Sequence, residues 1–138
     1  MLDDPEFRRW REEAQGALDM ARLGSRHNWR CFLAEQAAQM AVKALLHGLG
    51  RGPWGQDLRH LALMVADAVG QPFDPEVERS VRQLSDYYIP ARYPDAVPGA
   101  APAQRYTAAE ADDAVAHAER VLGAVDDVWD QLTRAGGT

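Results

Sequence analysis

The residues best suited to chemistry in this sequence lie between positions 87 and 95, where one arginine stands among aromatic and proline residues. Arg92 is followed directly by Tyr93 and Pro94, and Tyr88 lies four residues before it. A guanidinium can bind phosphate or carboxylate through paired hydrogen bonds, and an aromatic ring can stack on a base or on the guanidinium itself. The pattern therefore predicts a ligand-binding segment. The alternative is that the rings pack a loop and Arg92 pairs with a helix end or an acid.

Lys43 is a second candidate because it is the only lysine in the chain and lies in an alanine-rich segment, four residues before His47. An ammonium on a largely apolar helix can extend along the apolar surface until its charge reaches water. It can also contact a phosphate or a partner protein. Both interpretations stay open from the sequence.

The sequence contains no pattern typical of a metal site or of a phosphate-binding loop. The histidines are scattered along the chain, at positions 27, 47, 60 and 117, and the single cysteine, Cys31, cannot build a thiolate site alone. We expect Cys31 to be a small buried side chain. The glycine-rich stretch 48–52 follows a helical segment, whereas a Walker loop follows a strand. We therefore predict no metal and no cofactor.

Three arginines of the first segment, Arg8, Arg11 and Arg22, fall on one side of a helical wheel and could bind phosphates. Acidic residues share the same segment, so the favoured interpretation is a solvated surface of mixed charge.

Composition places the chain among soluble globular proteins. It has 138 residues, about one domain's worth, of which 46% are hydrophobic and 26% are charged. No apolar run approaches the roughly 18–20 residues of a membrane span, and the first residues lack the apolar region of a signal peptide. We expect a cytoplasmic protein without membrane contact. The net charge of −6 disfavours long-range attraction of nucleic acids.

Apolar residues recur at helical spacing through most of the chain. The spacing predicts helices over residues 3–24, 28–49, 56–69, 74–88 and 107–132. Asp-Pro pairs begin the first and fourth, and Thr107 with Glu110 fits a capping box at the fifth. Prolines at every fourth position make 89–106 a loop. We predict an all-α, antiparallel up-down bundle of four or five helices over residues 5–132, followed by a flexible tail at 133–138.

The order of these motifs resembles the HEPN domain family (higher eukaryotes and prokaryotes nucleotide-binding). The resemblance rests on AEQAAQMAVKALL at residues 34–46, Asp57-Leu58 at a helix start, ARYPD at 91–95 and YTAAEA at 106–111. It covers about residues 5–132. The resemblance implies a helical bundle that forms a homodimer, and a minimal nucleotidyltransferase as its partner protein in a toxin–antitoxin-like pair. The nucleotide- or partner-binding residues it points to are Arg92, Tyr93, Pro94, Tyr88, Lys43 and Asp57.

The resemblance also implies an alternative, because many family members are metal-independent ribonucleases with an Arg-x(4–6)-His motif at the dimer cleft. Arg92 has no histidine within that distance, and the next one is His117. Arg22 and His27 match the spacing at a different place in the chain. A third possibility is a purely structural bundle in a larger assembly.

Overall fold

The computed structural model describes residues 1–53, 55–87 and 106–136. This part of the chain contains five helices and no strand, in the order α1 (Asp4–Leu23), α2 (His27–Gly48), α3 (Leu58–Val69), α4 (Pro75–Ser85) and α5 (Ala108–Gly136). The predicted all-α bundle is confirmed. None of the helices in the described ranges is both long enough and apolar enough to cross a lipid bilayer.

The helix starts follow the local chemistry of their first residues. The Asp3 carboxylate accepts a hydrogen bond from the Glu6 N–H and caps α1. At α5, Thr107 Oγ1 accepts from the Glu110 N–H at 3.1 Å while the Glu110 carboxylate accepts from the Thr107 N–H at 3.4 Å, which confirms the predicted capping box. Asp74 differs: it occupies the N-cap of α4, but its side chain makes no capping hydrogen bond.

The helix ends also refine the prediction. Gly70 ends α3 with a φ of +93°, a left-handed conformation that glycine adopts without steric cost. The fourth helix ends at Ser85 rather than near residue 88, and the last continues through Gly136, beyond the predicted tail start at 133. The predicted loop at 89–106 lies outside the described residues except for Tyr106.

The centre of the bundle is α2, which packs against each of the other four helices. Its five alanines, at positions 34, 37, 38, 41 and 44, are completely buried. Their small side chains let the neighbouring helix backbones approach closely, and this is why the alanine-rich segment occupies the middle of the fold.

The long α5 is joined to α1 by polar and aromatic contacts. The guanidinium of Arg11 donates to both carboxylate oxygens of Asp126, at 2.8 and 2.9 Å. Trp129 stacks on Phe7 with ring centroids 4.3 Å apart, and its indole N–H donates to Asp4. The aromatic stack adds specific geometry to the apolar burial, and the bidentate ion pair fixes the register of the two helices.

Candidate functional site

A buried carboxylate interrupts the apolar surface of α2. Glu35 is completely buried, and two amide side chains of the same helix donate to it. Gln36 Nε2 lies 2.7 Å from Glu35 Oε1, and Gln39 Nε2 lies 3.0 Å from Glu35 Oε2. Burying a carboxylate is costly unless its oxygens are hydrogen-bonded, and these donors offset part of that cost. We call Glu35, Gln36 and Gln39 the polar seam of α2.

The polar seam is connected to the start of α3. Gln39 Nε2 also donates to the backbone carbonyl of Gln56 at 2.9 Å, so one buried amide joins Glu35 to the loop that enters α3. The next residue, Asp57, caps that helix: its carboxylate accepts from the Arg59 N–H at 3.1 Å. Asp57, which the resemblance assigned to binding, thus has a structural role in forming α3, and its role toward a ligand stays a prediction.

Lys43 lies two turns beyond Glu35 on α2 and is only partly exposed. Burial lowers the pKa of its ammonium, and the charge of Glu35 partly opposes that shift. Among the described residues it forms no ion pair. A partly desolvated ammonium without a carboxylate partner is a suitable contact for an anionic group, phosphate included.

Four of the predicted binding residues, Tyr88, Arg92, Tyr93 and Pro94, lie outside the described residues. Their roles stay predictions. The two described residues that bracket them, Tyr87 and Tyr106, contact each other edge to face with ring centroids 5.8 Å apart. Burial raises the pKa of the Tyr87 phenol to about 12, so this ring is neutral at physiological pH.

The arginine face of α1 is neutralised by acids, as the mixed-charge interpretation predicted. Arg8 pairs with Asp4, Arg11 with Asp126, and Arg22 with both Asp19 and Glu119. Within the described ranges, Arg22 therefore contacts two carboxylates, and no hydrogen bond joins it to His27.

Two clusters were missed by sequence reasoning. The first is Glu35 with its amide donors, for which the signal was an acid at the centre of an alanine-rich segment. The second joins α4 to α5: Ser80 Oγ lies 2.8 Å from His117 Nδ1 and accepts from Arg120 at 3.0 Å. Ser80 is completely buried, and no local pattern could pair it with residues about 40 positions away.

Metal-binding geometry is not found in the part of the chain that the structure describes, where no group of three or more His, Cys, Asp or Glu side chains could hold an ion. Cys31 is completely buried, and burial raises the pKa of its thiol to about 12. A thiol in this state contains almost no thiolate, which is the form that binds metals and acts as a nucleophile.

Comparisons with known proteins agree with this architecture. A model of the HEPN domain matches residues 7–128. TT1696 from Thermus thermophilus, a solved structure, is 34% identical, with a TM-score of 0.81 and coverage of 88% of this chain and 97% of that one. ST0689, described as an archaeal HEPN homologue, is 30% identical, with a TM-score of 0.71 and coverage of 88% of this chain and 95% of that one. The search of curated proteins gave no match. Sequence motifs, helix order and structural similarity thus lead to one conclusion: the chain belongs to the HEPN domain family.

Proposed function

We propose that this HEPN protein binds a nucleotide, either alone or together with a minimal nucleotidyltransferase partner, as one component of a toxin–antitoxin-like pair. The observation that carries the proposal is Lys43, a partly buried ammonium without an ion-pair partner in the described ranges, on the same helix as the polar seam. A phosphate group would supply the counter-charge that this ammonium lacks. Arg92 and Tyr93 would add a guanidinium and a stacking ring, by their residue types.

The polar seam supports the proposal through rigidity. Gln39 joins α2 to the loop that enters α3 through its hydrogen bond to the Gln56 carbonyl. A ligand bound at Lys43 would therefore contact α2 while α3 is already fixed against it. A preorganised site loses less conformational freedom when it binds, and more of the interaction energy then appears as affinity.

A protein partner, or a second copy of the chain, is supported by exposed apolar side chains near the turn between α1 and α2. Met20 is 62% exposed, Leu23 is 85% exposed and Trp29 is 42% exposed. Exposed large apolar side chains close to one turn are surface that an associating protein would cover. Light scattering after gel filtration would measure whether the protein is a homodimer. Leu23→Ser should weaken the association if this turn contributes to it.

Calorimetric titration with nucleoside triphosphates tests nucleotide binding directly. Lys43→Met should weaken binding by about tenfold, as expected for a lost charged contact. Arg26→Gln is the matched control, because it also removes one positive charge, at an exposed position that forms no ion pair within the described residues. Equal affinity of Lys43→Met and the wild type would contradict the assignment of Lys43.

Inspection of the adjacent reading frames for a minimal nucleotidyltransferase, followed by co-expression with any such protein, tests the partner. Arg92→Ala should weaken binding of nucleotide or partner and change the free energy of unfolding by less than about 0.5 kcal/mol, as for a surface substitution. A large loss of stability with unchanged binding would instead give Arg92 a structural role.

Metal-independent cleavage of RNA by the isolated protein would favour the ribonuclease alternative. A chain that binds neither nucleotide nor partner would be a structural bundle.

A further inference from the structure

A cluster of basic side chains, which shares no residue with the proposed function, occupies the contact between α4 and α5. At its base is the hydroxyl of Ser80, which is completely buried. Arg120 Nη1 donates to Ser80 Oγ at 3.0 Å, and His117 Nδ1 lies 2.8 Å from the same oxygen. One buried hydroxyl thus fixes the positions of a guanidinium and an imidazole that come from the same face of α5.

The hydrogen-bond roles at Ser80 are set by its neighbours. A guanidinium only donates, so Ser80 Oγ accepts from Arg120. The hydroxyl proton is then available to His117 Nδ1, which accepts it in the neutral ring. In that tautomer the proton of the imidazole is on Nε2, on the far side of the ring from Ser80. The outer edge of His117 is therefore a hydrogen-bond donor.

The charges around His117 are mostly positive. Burial and the charges of Arg120 and Arg79 lower the pKa of His117, and Asp113 is the carboxylate that opposes them. Arg79 is adjacent to Ser80 on α4 and is exposed, as is Arg120. Within the described ranges neither arginine forms an ion pair, although all four arginines of α1 do. Two exposed guanidiniums without an ion pair in the described ranges thus lie near His117, with Asp113 as the opposing carboxylate, on a protein whose net charge is −6.

We propose that Arg79, His117 and Arg120 form a phosphate-binding site, in which the two guanidiniums and the Nε2–H of His117 hold the oxygens of one phosphate group. Charge-assisted hydrogen bonds from guanidinium to phosphate are among the strongest in proteins, and the buried Ser80 hydroxyl orients two of the three donors in advance. The phosphate belongs either to a mononucleotide or to the backbone of an oligonucleotide, since both present the same group.

Nuclear magnetic resonance of the His117 ring during a pH titration tests this site, with inorganic phosphate as the first probe. A bound phosphate favours the protonated ring, so the pKa of His117 should rise when phosphate is added. Arg120→Gln and Arg79→Gln should each weaken phosphate binding by about tenfold. Asp113→Asn removes the opposing carboxylate and should strengthen it. Arg26→Gln should leave the response unchanged, and so should Lys43→Met, which separates this site from the one proposed on α2.

Two further probes identify the source of the phosphate. AMP presents a terminal phosphate, whereas a short oligoribonucleotide without terminal phosphates presents only internal ones. Tighter binding of AMP assigns the site to a mononucleotide, and tighter binding of the oligonucleotide assigns it to a backbone; either result supports the proposal. An unchanged His117 titration with all three probes at millimolar concentration would overturn it, and so would a response that persists in the Arg79→Gln, Arg120→Gln double variant.

Discussion

Gly48 lies directly against the indole ring of Trp129. A Cβ atom at position 48 would be 2.5 Å from Cζ3 of that ring and 2.6 Å from Cη2, both far inside van der Waals contact. The glycine ends α2, and its carbonyl accepts a hydrogen bond from the Asp3 N–H at 2.7 Å. At this point α1, α2 and α5 meet with no room for a side chain.

Gly48→Ala should therefore destabilise the protein by about 1–3 kcal/mol, the usual cost of forcing extra volume into a packed core. Urea unfolding followed by circular dichroism measures it. Gly123→Ala is the control, because that glycine lies in α5 with nothing within 4 Å of its added Cβ, and there alanine should stabilise the helix by about 0.5–1 kcal/mol. Equal effects at the two positions would show that the close approach of Trp129 is unimportant.

Gln39→Ala should lower the free energy of unfolding by about 1–3 kcal/mol, because it removes a buried donor shared by Glu35 and the carbonyl of Gln56. Gln36→Ala, the control, removes a donor to the same carboxylate from a partly exposed position where water can replace it, so its effect should be smaller. Urea unfolding of both variants measures the difference. A Gln39→Ala protein as stable as Gln36→Ala would contradict the importance of the connection between α2 and α3.

Stability should decline as pH falls below the ordinary histidine value of 6.5. Burial lowers the pKa of both His47 and His117 in the folded protein. At a pH between the lowered pKa of the folded protein and the ordinary pKa of the unfolded chain, the unfolded chain binds more protons. The contribution of these histidines to the free energy of unfolding is therefore complete above pH 6.5 and is lost as the pH falls toward the pKa values of the folded protein. His47→Gln and His117→Gln should each flatten the pH profile of the melting temperature. Unchanged profiles in both variants would contradict this assignment.

Cys31 should not react with a thiol reagent in the native protein. Its side chain is completely buried, and burial raises the pKa of the thiol to about 12, so almost no thiolate is present at neutral pH. Absorbance during reaction with a disulfide reagent should rise only after denaturant is added. Rapid labelling under native conditions would indicate that the packing around α2 opens readily.

Helix positions were predictable from the sequence because periodic apolar residues and caps are local signals. The capping box at Thr107 and the position of Cys31 in the core were confirmed, and so was the neutralised arginine face of α1. The same Asp-Pro pair begins both α1 and α4. In α1 the cap is the residue before the pair, Asp3, whereas in α4 the Asp of the pair, Asp74, is at the N-cap and its side chain makes no capping hydrogen bond. The dipeptide alone therefore does not predict which residue caps the helix.

The polar clusters were harder to predict because their members are distant in sequence. Gln39 reaches a carbonyl 17 residues away, and Ser80 joins residues 37 and 40 positions further along the chain. Such pairings depend on helix register in three dimensions. The lone lysine at position 43 and the family resemblance at Asp57 indicated candidate residues but not the partners of these side chains.

The position of α2 has a consequence for how the molecule melts. Since this helix contacts the four other described helices and buries its alanines among them, removing any neighbour would expose part of the same shared surface. No peripheral helix can detach without weakening the rest. Thermal denaturation should accordingly be all-or-none, with calorimetric and van't Hoff enthalpies that agree.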